Sequence, residues 1–448
     1  MLFTLREPCK KTTAAEKAKI ILSCIRKVIN SRFPEIFDKF NDLPDSRKHK
    51  QYSMAEIVTG ALFMYIFKET SRNAYNSDWR EECFQKNVFK YFGIKLPHAD
   101  TVDDVLRELP PVELEVLKAQ LVSGLMEQKL LRKFRFLGKS YLVAVDATGI
   151  ATFDQKHCDH CLTKTSKTGV VTYFHYVLEA KLVTSTGLAI SLASEFIEND
   201  PDRDYEKQDC EQKAFVRLAA KIKKYFPRLP ICILGDGLYP NNTVFDICLK
   251  NNWQFIITLK DGNLKTFQEE VGLLKATAKK QGVSKATKTT WTTLEYAFLN
   301  DIEYDRRCFS WVECKETVVN NESKETTHQR FTYITNVAQT TKNIVQTVDS
   351  GRLRWKIENE GFNSQKNQGY GLEHKYSRIS FIAMQNYYQI LQIAHLINQL
   401  VERSKQVVAL LEEYSKQTIV DLWKKLRAYL IFSQYEQSTH ASTPYQSG

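Results

Sequence analysis

The sequence predicts an α/β protein in which a mixed sheet is flanked along the chain by helical regions. Apolar residues recur at three- and four-residue spacing before about residue 137, and this helical spacing returns from about residue 344. Between these regions, β-rich runs are separated by glycines and then alternate with helical segments. Strands in succession followed by alternating helices and strands are typical of a mixed sheet covered by helices.

Composition and charge limit the class of protein. The chain has 448 residues, of which 43% are hydrophobic and 26% charged, which excludes a disordered or fibrous protein. The longest apolar run, residues 61–67, is far shorter than the roughly 20 residues that span a bilayer, so we expect no membrane segment, and we expect no secretory signal. Ten scattered cysteines suit free thiols in a reducing compartment, which predicts a cytoplasmic location. The net charge of +11 predicts a surface that attracts polyanions.

The first region, residues 1–137, is predicted to be helical. One of its helices opens with Asp100 and Thr101 as candidate caps, followed by two more aspartates in the first turn. Such a region is either a DNA-binding domain or a plain scaffold, and the helical pattern leaves both open. The predicted helices cover residues 15–31, 54–68, 101–108 and 112–131.

The middle of the chain has the element order β-β-β-α-β-α-β, which is the order of the ribonuclease-H-like fold. We assign residues 138–262 and 340–378 to this core and residues 263–339 to a β-rich insertion. A helical C-terminal region is predicted at 379–433, and the polar tail 434–448 is expected to be disordered. The predicted core strands are 141–145, 173–183, 189–197, 231–234 and 253–259, with helices at about 207–225 and 242–250, and the insertion strands are 289–298, 307–312 and 330–334.

Two aspartates follow apolar strand segments of the predicted core. Asp146 ends the first strand, just before Gly149, and Asp236 lies between two glycines after the strand 231–234. The carboxyl edge of an open α/β sheet is the usual ligand site, and carboxylate oxygens are the ligands that Mg²⁺ prefers. A strand-end aspartate is also a common cap or turn former, so neither residue alone defines a site.

A third carboxylate, Glu358, lies on a helix predicted over residues 352–367. Arg354 precedes it by four residues and Gln365 follows it by seven, so the three share one helical face. Glu360 is rotated from that face by about 200°. Taken alone, this pattern is an ordinary ion pair on a solvated helix, which stabilises by only a few tenths of a kcal/mol.

Taken together, these segments resemble the DDE transposases of bacterial insertion sequences, specifically the IS-four group, which has a β-rich insertion before its catalytic glutamate. The segments are the strand ending in Asp146, the turn Gly-Asp-Gly-Leu-Tyr at Asp236, and the helix Arg-x-Arg-Trp-x-Ile-Glu. The resemblance covers roughly residues 45–400. The family signature is Tyr, two residues, Arg, three residues, Glu, six residues, Lys. Arg354 and Glu358 fit it, whereas Gly351 replaces the Tyr and Gln365 replaces the Lys, with Lys366 one position later.

The resemblance implies a Mg²⁺- or Mn²⁺-dependent nuclease and strand transferase. It would cut transposon ends and join their 3′-hydroxyls to target DNA by two-metal in-line phosphoryl transfer. In this assignment Asp146 binds both ions, Asp236 binds one and Glu358 binds the other.

The resemblance also implies how DNA is held. Arg354 and Lys366 would bind DNA phosphates, and Trp355 would either stack on a displaced base or lie in the core. The implied partners are double-stranded DNA, as transposon ends and target, and a second copy of the chain that assembles on it. The N-terminal helical region would then bind DNA, and the protein would be associated with the nucleoid.

A second cluster of candidate ligands follows the first predicted strand. Cys-x-x-Cys with interleaved histidines resembles half of a zinc site. Four ligands within five residues cannot easily all reach one ion, and no second pair follows. We therefore favour a basic loop that lies against DNA through Lys164 and Lys167 over a zinc site. The candidate ligands are His157, Cys158, His160 and Cys161.

Two other classes of protein remain open. One is a DNA-binding protein derived from a transposase that no longer cuts, which the complete set of three carboxylates disfavours. The other is a metal-dependent nuclease or phosphatase without transposition. The basic charge of the chain favours a large DNA partner over a small phosphate ester.

Overall fold

The computed structural model describes residues 12–199, 207–413 and 417–433. The chain divides into two compact units, one made of residues 1–108 and 397–448 and the other of residues 109–396. The sequence placed the end of the first region at residue 137, whereas residues 109–137 group with the sheet-containing unit. The predicted disordered tail, 434–448, lies outside the described residues. Among the described helices, none has both the length and the apolar character needed to cross a bilayer.

Helices occupy both ends of the chain and strands its middle. The helices are α1 Ala14–Arg32, α2 Ile36–Asn41, α3 Met54–Ile66, α4 Arg72–Trp79, α5 Glu82–Phe92, α6 Ala99–Glu108, α7 Pro111–Glu127, α8 Glu211–Tyr225, α9 Asn242–Lys250, α10 Lys265–Leu274, α11 Ile344–Arg352, α12 Ser364–Asn367, α13 Phe381–Glu402, α14 Lys405–Glu412 and α15 Ile419–Phe432. The strands are β1 Tyr141–Phe153, β2 Leu162–Thr165, β3 Val171–Val183, β4 Ala189–Ile197, β5 Ile231–Gly235, β6 Gln254–Thr258, β7 Lys279–Ala286, β8 Thr290–Tyr304, β9 Arg307–Asn320 and β10 Thr326–Thr335. A π-helix covers Ile357–Asn363, and short 3₁₀ turns cover Arg132–Phe134 and Lys275–Thr277.

One mixed sheet forms the centre of the second unit. Its strand order is β2-β3-β1-β5-β6-β10-β9-β8-β7, and β4 pairs with the C-terminal part of β3. β5 is parallel to β1 and to β6, whereas the other pairs are antiparallel. The fold is therefore mixed α/β, which confirms the α/β fold class that the sequence predicted.

Helices cover both faces of this sheet at β4. Neighbouring residues of a strand point to opposite faces. Ser194 accepts a hydrogen bond from Lys118 of α7, while the next residue, Glu195, forms an ion pair with Arg217 of α8. The helices α7 and α8 therefore contact opposite faces of β4.

The predicted β-rich insertion extends the main sheet. β10 pairs with β6, with Tyr333 opposite Thr258, and β9, β8 and β7 continue outward as antiparallel neighbours. The strands of the insertion therefore continue the same hydrogen-bonded ladder as the core strands. This continuity places residues of β10 beside the ends of the parallel strands.

Asp146 lies inside a strand, where the sequence had predicted a strand end. β1 continues to Phe153 because the long strand β3 pairs with it along this whole length. On its other side β1 pairs with β5 only as far as Ala144, opposite Leu234. Asp146 therefore lies just beyond the point where its parallel neighbour stops, although its own strand continues.

Buried apolar helices form the core of the first unit. α3 is buried along its length except at Glu56, so a helix that is apolar all round forms the centre of the unit. Ser53 and Glu56 form a capping box at its start. α1 begins with a similar box and packs against α14 and α15. α6 begins at Ala99, so the prediction that Asp100 and Thr101 cap this helix was wrong by two residues.

Arg427 of α15 compensates two acidic side chains in this unit. Its guanidinium lies 2.9 Å from a carboxylate oxygen of buried Glu69 and donates to both carboxylate oxygens of buried Asp78. Burial raises the pKa of Glu69 to about 9, although the charge of Arg427 acts in the opposite direction. Removal of the guanidinium would leave both acidic groups buried without this partner.

We predict that Arg427→Ala lowers the free energy of unfolding by about 3 kcal/mol, the scale for breaking a buried ion pair by removing one partner. Urea denaturation followed by circular dichroism measures the change. Lys86→Ala is the matched control, because Lys86 forms an exposed pair with Glu82 one helical turn away and should have no measurable effect. Equal midpoints for the wild-type protein and Arg427→Ala would contradict the assignment.

Candidate functional site

Three carboxylates that are distant in sequence line one open cleft of about 970 Å³ in the second unit. Asp146 comes from β1, Asp236 follows β5, and Glu358 belongs to the π-helix. The register explains the first two positions, because Ala144 is opposite Leu234 and each aspartate comes two residues later in the chain. The structure thus brings together the three carboxylates that the sequence singled out.

The helix that carries Glu358 differs from the predicted one. α11 ends at Arg352, a turn follows, and a π-helix runs from Ile357 to Asn363 before α12. The i→i+5 hydrogen bonds of a π-helix take about one residue more per turn than those of an α-helix. The prediction that Gln365 shares a face with Arg354 and Glu358 was therefore wrong. Residues that line the cleft from this segment are Arg354, Trp355, Glu358, Phe362, Asn363 and Lys366.

Gln365 is instead buried behind the cleft. Its amide donates to Gln392 of α13 at 2.9 Å and lies 3.0 Å from Nδ1 of His395. Lys366, the next residue, faces the cleft and forms an ion pair with Glu373 at 2.8 Å. The extra residue of the π-turn therefore places Lys366, and not Gln365, at the cleft.

Arg354 and Trp355 form one unit beside the carboxylates. A guanidinium nitrogen of Arg354 lies 3.3 Å from a carboxylate oxygen of Asp146. The same guanidinium lies 4.5 Å from the centre of the Trp355 ring. Trp355 is 52% exposed, so the alternative that it lies in the core was wrong. About half of the Trp355 surface is therefore open to solvent, while the Arg354 guanidinium lies over the ring.

Two further cationic side chains, which the sequence analysis did not single out, line the cleft. Lys260, just after β6, lies 3.2 Å from a carboxylate oxygen of Asp236. Arg330 enters from β10, whose position at the cleft follows from its pairing with β6. Lys260 could have been found with the reasoning used for Asp236, because it too follows a parallel strand. By contrast, Lys164 and Lys167 are exposed on β2 and in the turn after it, and they do not line the cleft.

A fourth carboxylate, Glu211, lies close to the same aspartates. Burial raises the pKa of Glu211 to about 7, and the charges of Asp146 and Asp236 act in the same direction. The hydroxyl of Tyr239 lies 3.4 Å from one of its carboxylate oxygens. Glu211 is the first residue of α8, and acidic residues are common in the first turn of a helix. The sequence therefore gave no indication that Glu211 lies near the two aspartates.

The electrostatics of the cleft fit a divalent cation. Burial raises the pKa of Asp146, and the charges of Asp236 and Glu358 raise it further, although Arg354 opposes them. These like charges disfavour ionisation of Asp146, and a bound cation would relieve the repulsion. Aspartate and glutamate oxygens are the hard ligands that Mg²⁺ and Mn²⁺ take. Asp146, Asp236 and Glu358 could therefore hold such an ion, with Glu211 nearby.

The Cys and His residues after β1 are placed differently from the sequence prediction. His157, Cys158 and Cys161 converge with His175 of β3. His160, a predicted member of the group, lies outside it. Its ring stacks on Phe381, and its Nδ1 lies 2.7 Å from a carboxylate oxygen of Glu198. The sequence could not identify His175, because its contact with the loop depends on the register of β3 against β1.

Gly351, at the end of α11, lies directly against the ring of a tyrosine from the sheet. A Cβ atom at position 351 would lie 2.7 Å from Cε1 of Tyr333 and 3.1 Å from Cγ2 of Ile256. Tyr333 comes from β10 and also lines the cleft. The aromatic ring at this point of the cleft is therefore supplied by the sheet, and the helix must carry glycine.

We predict that Gly351→Ala lowers the free energy of unfolding by about 1–3 kcal/mol, the usual cost of overpacking. In a Tyr333→Ala background the same substitution should cost less, because the obstructing ring is gone. Urea denaturation of the four proteins forms a double-mutant cycle. Gly272→Ala in α10 is the control without close neighbours and should not destabilise the protein. The same cost in both backgrounds would show that Tyr333 is not the obstacle.

No model of a known protein family matches this chain, and no curated protein matches it either.

Proposed function

We propose that this protein is a Mg²⁺- or Mn²⁺-dependent DDE transposase of the IS-four type, which cuts DNA at transposon ends and joins the freed 3′-hydroxyls to target DNA. The observation that carries the proposal is the convergence of Asp146, Asp236 and Glu358 in one open cleft. These residues come from separate elements, so their meeting depends on the whole fold. A cleft that combines such carboxylates with an exposed tryptophan and several cations suits a phosphodiester in a long polyanion better than a small ester.

The order of elements supports a ribonuclease-H-like core. Apart from the short strand β2, the chain runs β1, β3, β4, α8, β5, α9 and β6, which is the predicted order β-β-β-α-β-α-β. In this arrangement β1 and β5 are parallel neighbours that carry Asp146 and Asp236. The four strands β7 to β10 lie between the core and Glu358 in sequence, as the resemblance to the IS-four group implies.

The carboxylates would hold the catalytic ions. When bound, two divalent ions would activate the attacking oxygen and stabilise the leaving oxygen at phosphorus. Asp146 is central among the acidic groups, because the charges of Asp236 and Glu358 both act on it. This position is consistent with its assignment to both ions, with Asp236 and Glu358 each assigned to one.

The cations and Trp355 would hold the DNA. Arg354 presents a planar guanidinium that can bind a phosphate with two parallel hydrogen bonds. In the structure it is paired with Asp146, so its transfer to a phosphate would release an oxygen of Asp146 for a metal ion. Lys366 and Lys260 would bind phosphates as point charges. Trp355 would stack on a base beside the cut strand.

We also propose that the protein acts as a dimer assembled on double-stranded DNA, because joining two transposon ends requires two cleavage sites. The net charge of +11 supports a polyanionic partner. The exposed residues Lys164 and Lys167 would add phosphate contacts away from the cleft.

We predict that Asp146→Asn, Asp236→Asn and Glu358→Gln each reduce DNA cleavage in Mg²⁺ by more than about 100-fold, on the scale of losing one catalytic group. The substrate is a duplex taken from the DNA that flanks this gene, and cleavage is followed on gels. DNA binding, measured by mobility shift, should persist, because these side chains hold metal and not phosphate. Asp246→Asn on α9 is the control, since Asp246 is exposed and pairs with Arg307. Cleavage at the wild-type rate by any one of the three variants would overturn the assignment.

A further prediction separates Glu358 from its neighbour Glu360. Glu360 forms an ion pair with Lys356 and does not line the cleft. Glu360→Gln should therefore retain cleavage, whereas Glu358→Gln should lose it and require more metal for any residual rate. Cleavage rates across a Mg²⁺ titration make the comparison. An inactive Glu360→Gln beside an active Glu358→Gln would place the third metal ligand two residues later.

A further inference from the structure

Four side chains that the proposed reaction does not use meet at the far end of β1. His157, Cys158 and Cys161 belong to the loop after β1, and His175 belongs to β3. Their potential ligand atoms all lie within 4.8 Å of one another. His175 is paired with Ala151 across the sheet, so its position is set by the same ladder that positions β1.

The distances match those of a tetrahedral zinc site. The two sulfur atoms are 3.7 Å apart, and each lies 3.4 Å from Nε2 of His175. Tetrahedral zinc, with Zn–S bonds of ~2.3 Å and Zn–N bonds of ~2.0–2.1 Å, sets S···S at about 3.8 Å and S···N at about 3.5 Å. A disulfide would instead bring the sulfurs to about 2.05 Å. Three of the six edges of the cluster therefore have the lengths of a tetrahedral zinc site, and the three edges to His157 are no longer than 4.8 Å.

The hydrogen bonds around the cluster leave ligand atoms available. Nε2 of His157 is hydrogen-bonded to the backbone carbonyl of Arg378, while its Nδ1 is buried without a hydrogen-bond partner. A zinc-bound histidine typically donates its other ring N–H to a carbonyl or carboxylate, which fixes its tautomer and orientation.

We propose that His157, Cys158, Cys161 and His175 form a structural Zn²⁺ site. Two thiolates and two imidazoles are the ligand types that tetrahedral zinc takes, and four protein ligands leave no position open for a substrate. The ion would fix the loop after β1 to β3 and, through the carbonyl of Arg378, to the segment before α13. This inference is independent of DNA cleavage.

The test is the metal content of the full-length protein, purified without chelators and measured by inductively coupled plasma mass spectrometry. We expect about one zinc ion per chain. Cys161→Ser and His175→Ala should each lower the zinc content by about tenfold or more. His160→Ala and Cys210→Ser are the matched controls and should keep it, because His160 lies outside the cluster and Cys210 is an exposed cysteine at the start of α8.

A second measurement uses the wild-type protein, so its result does not depend on whether the variants fold. Wild-type protein that has been stripped of metal and supplied with Co²⁺ should show the visible absorption of tetrahedral cobalt with sulfur-to-cobalt charge transfer. A wild-type protein that contains no zinc and takes up neither Zn²⁺ nor Co²⁺ would overturn the proposal. A disulfide between Cys158 and Cys161 in protein purified under reducing conditions would overturn it too. Loss of zinc in His160→Ala with retention in His175→Ala would show that the ligand set is wrong.

Discussion

A buried chain of hydrogen bonds fixes the helix that carries Glu358 to the sheet, and the candidate site depends on it. Lys181 of β3 is fully buried and donates to Gln392 of α13, which in turn exchanges hydrogen bonds with Gln365 directly after the π-helix. Burial lowers the pKa of Lys181 to about 8, although the neighbouring charge of Glu179 opposes this shift. Each of these buried polar groups would cost about 1–3 kcal/mol if it lost its partner, so the arrangement admits few alternatives.

The same chain of contacts explains the shape of the helix. Gly361 faces the stem of Lys181, and a Cβ atom there would lie 3.2 Å from the Cδ atom of that side chain. Glycine at this position therefore lets the π-helix lie close against β3 without pressing on the Lys181 stem. The wider turn also lets Gln365 point into the buried network while Glu358 and Lys366 point into the cleft. The π-helix thus allows both the buried hydrogen bonds of Gln365 and the positions of Glu358 and Lys366 at the cleft.

The sequence predicted those parts of the site that depend on local order along the chain. Asp236 could be predicted because a short apolar strand precedes it at the edge of a parallel sheet, and Glu358 because Arg354 and Glu358 fit two of the four positions of a family signature. The remaining features depend on register. His175 reaches the cysteines, and Tyr333 reaches Gly351, only because particular strands pair at particular residues. Glu211 approaches the aspartates because α8 packs against the sheet. The apolar spacing that predicts α8 does not tell which residues at its start face the aspartates.

The cleft combines acidic and basic groups in a way that a phosphodiester and a cation could each use. The protein's own cations compensate the acidic groups only partly, since Asp146 keeps a raised pKa despite Arg354 and burial raises the pKa of Glu211 to about 7. Arg354 forms an ion pair with Asp146, and Lys260 forms one with Asp236. A divalent cation among the carboxylates would compensate them more fully and release both side chains toward the cleft. Under the proposed function, the cations that balance the acidic residues would then become the groups that bind phosphate, so binding of metal and binding of DNA would each favour the other.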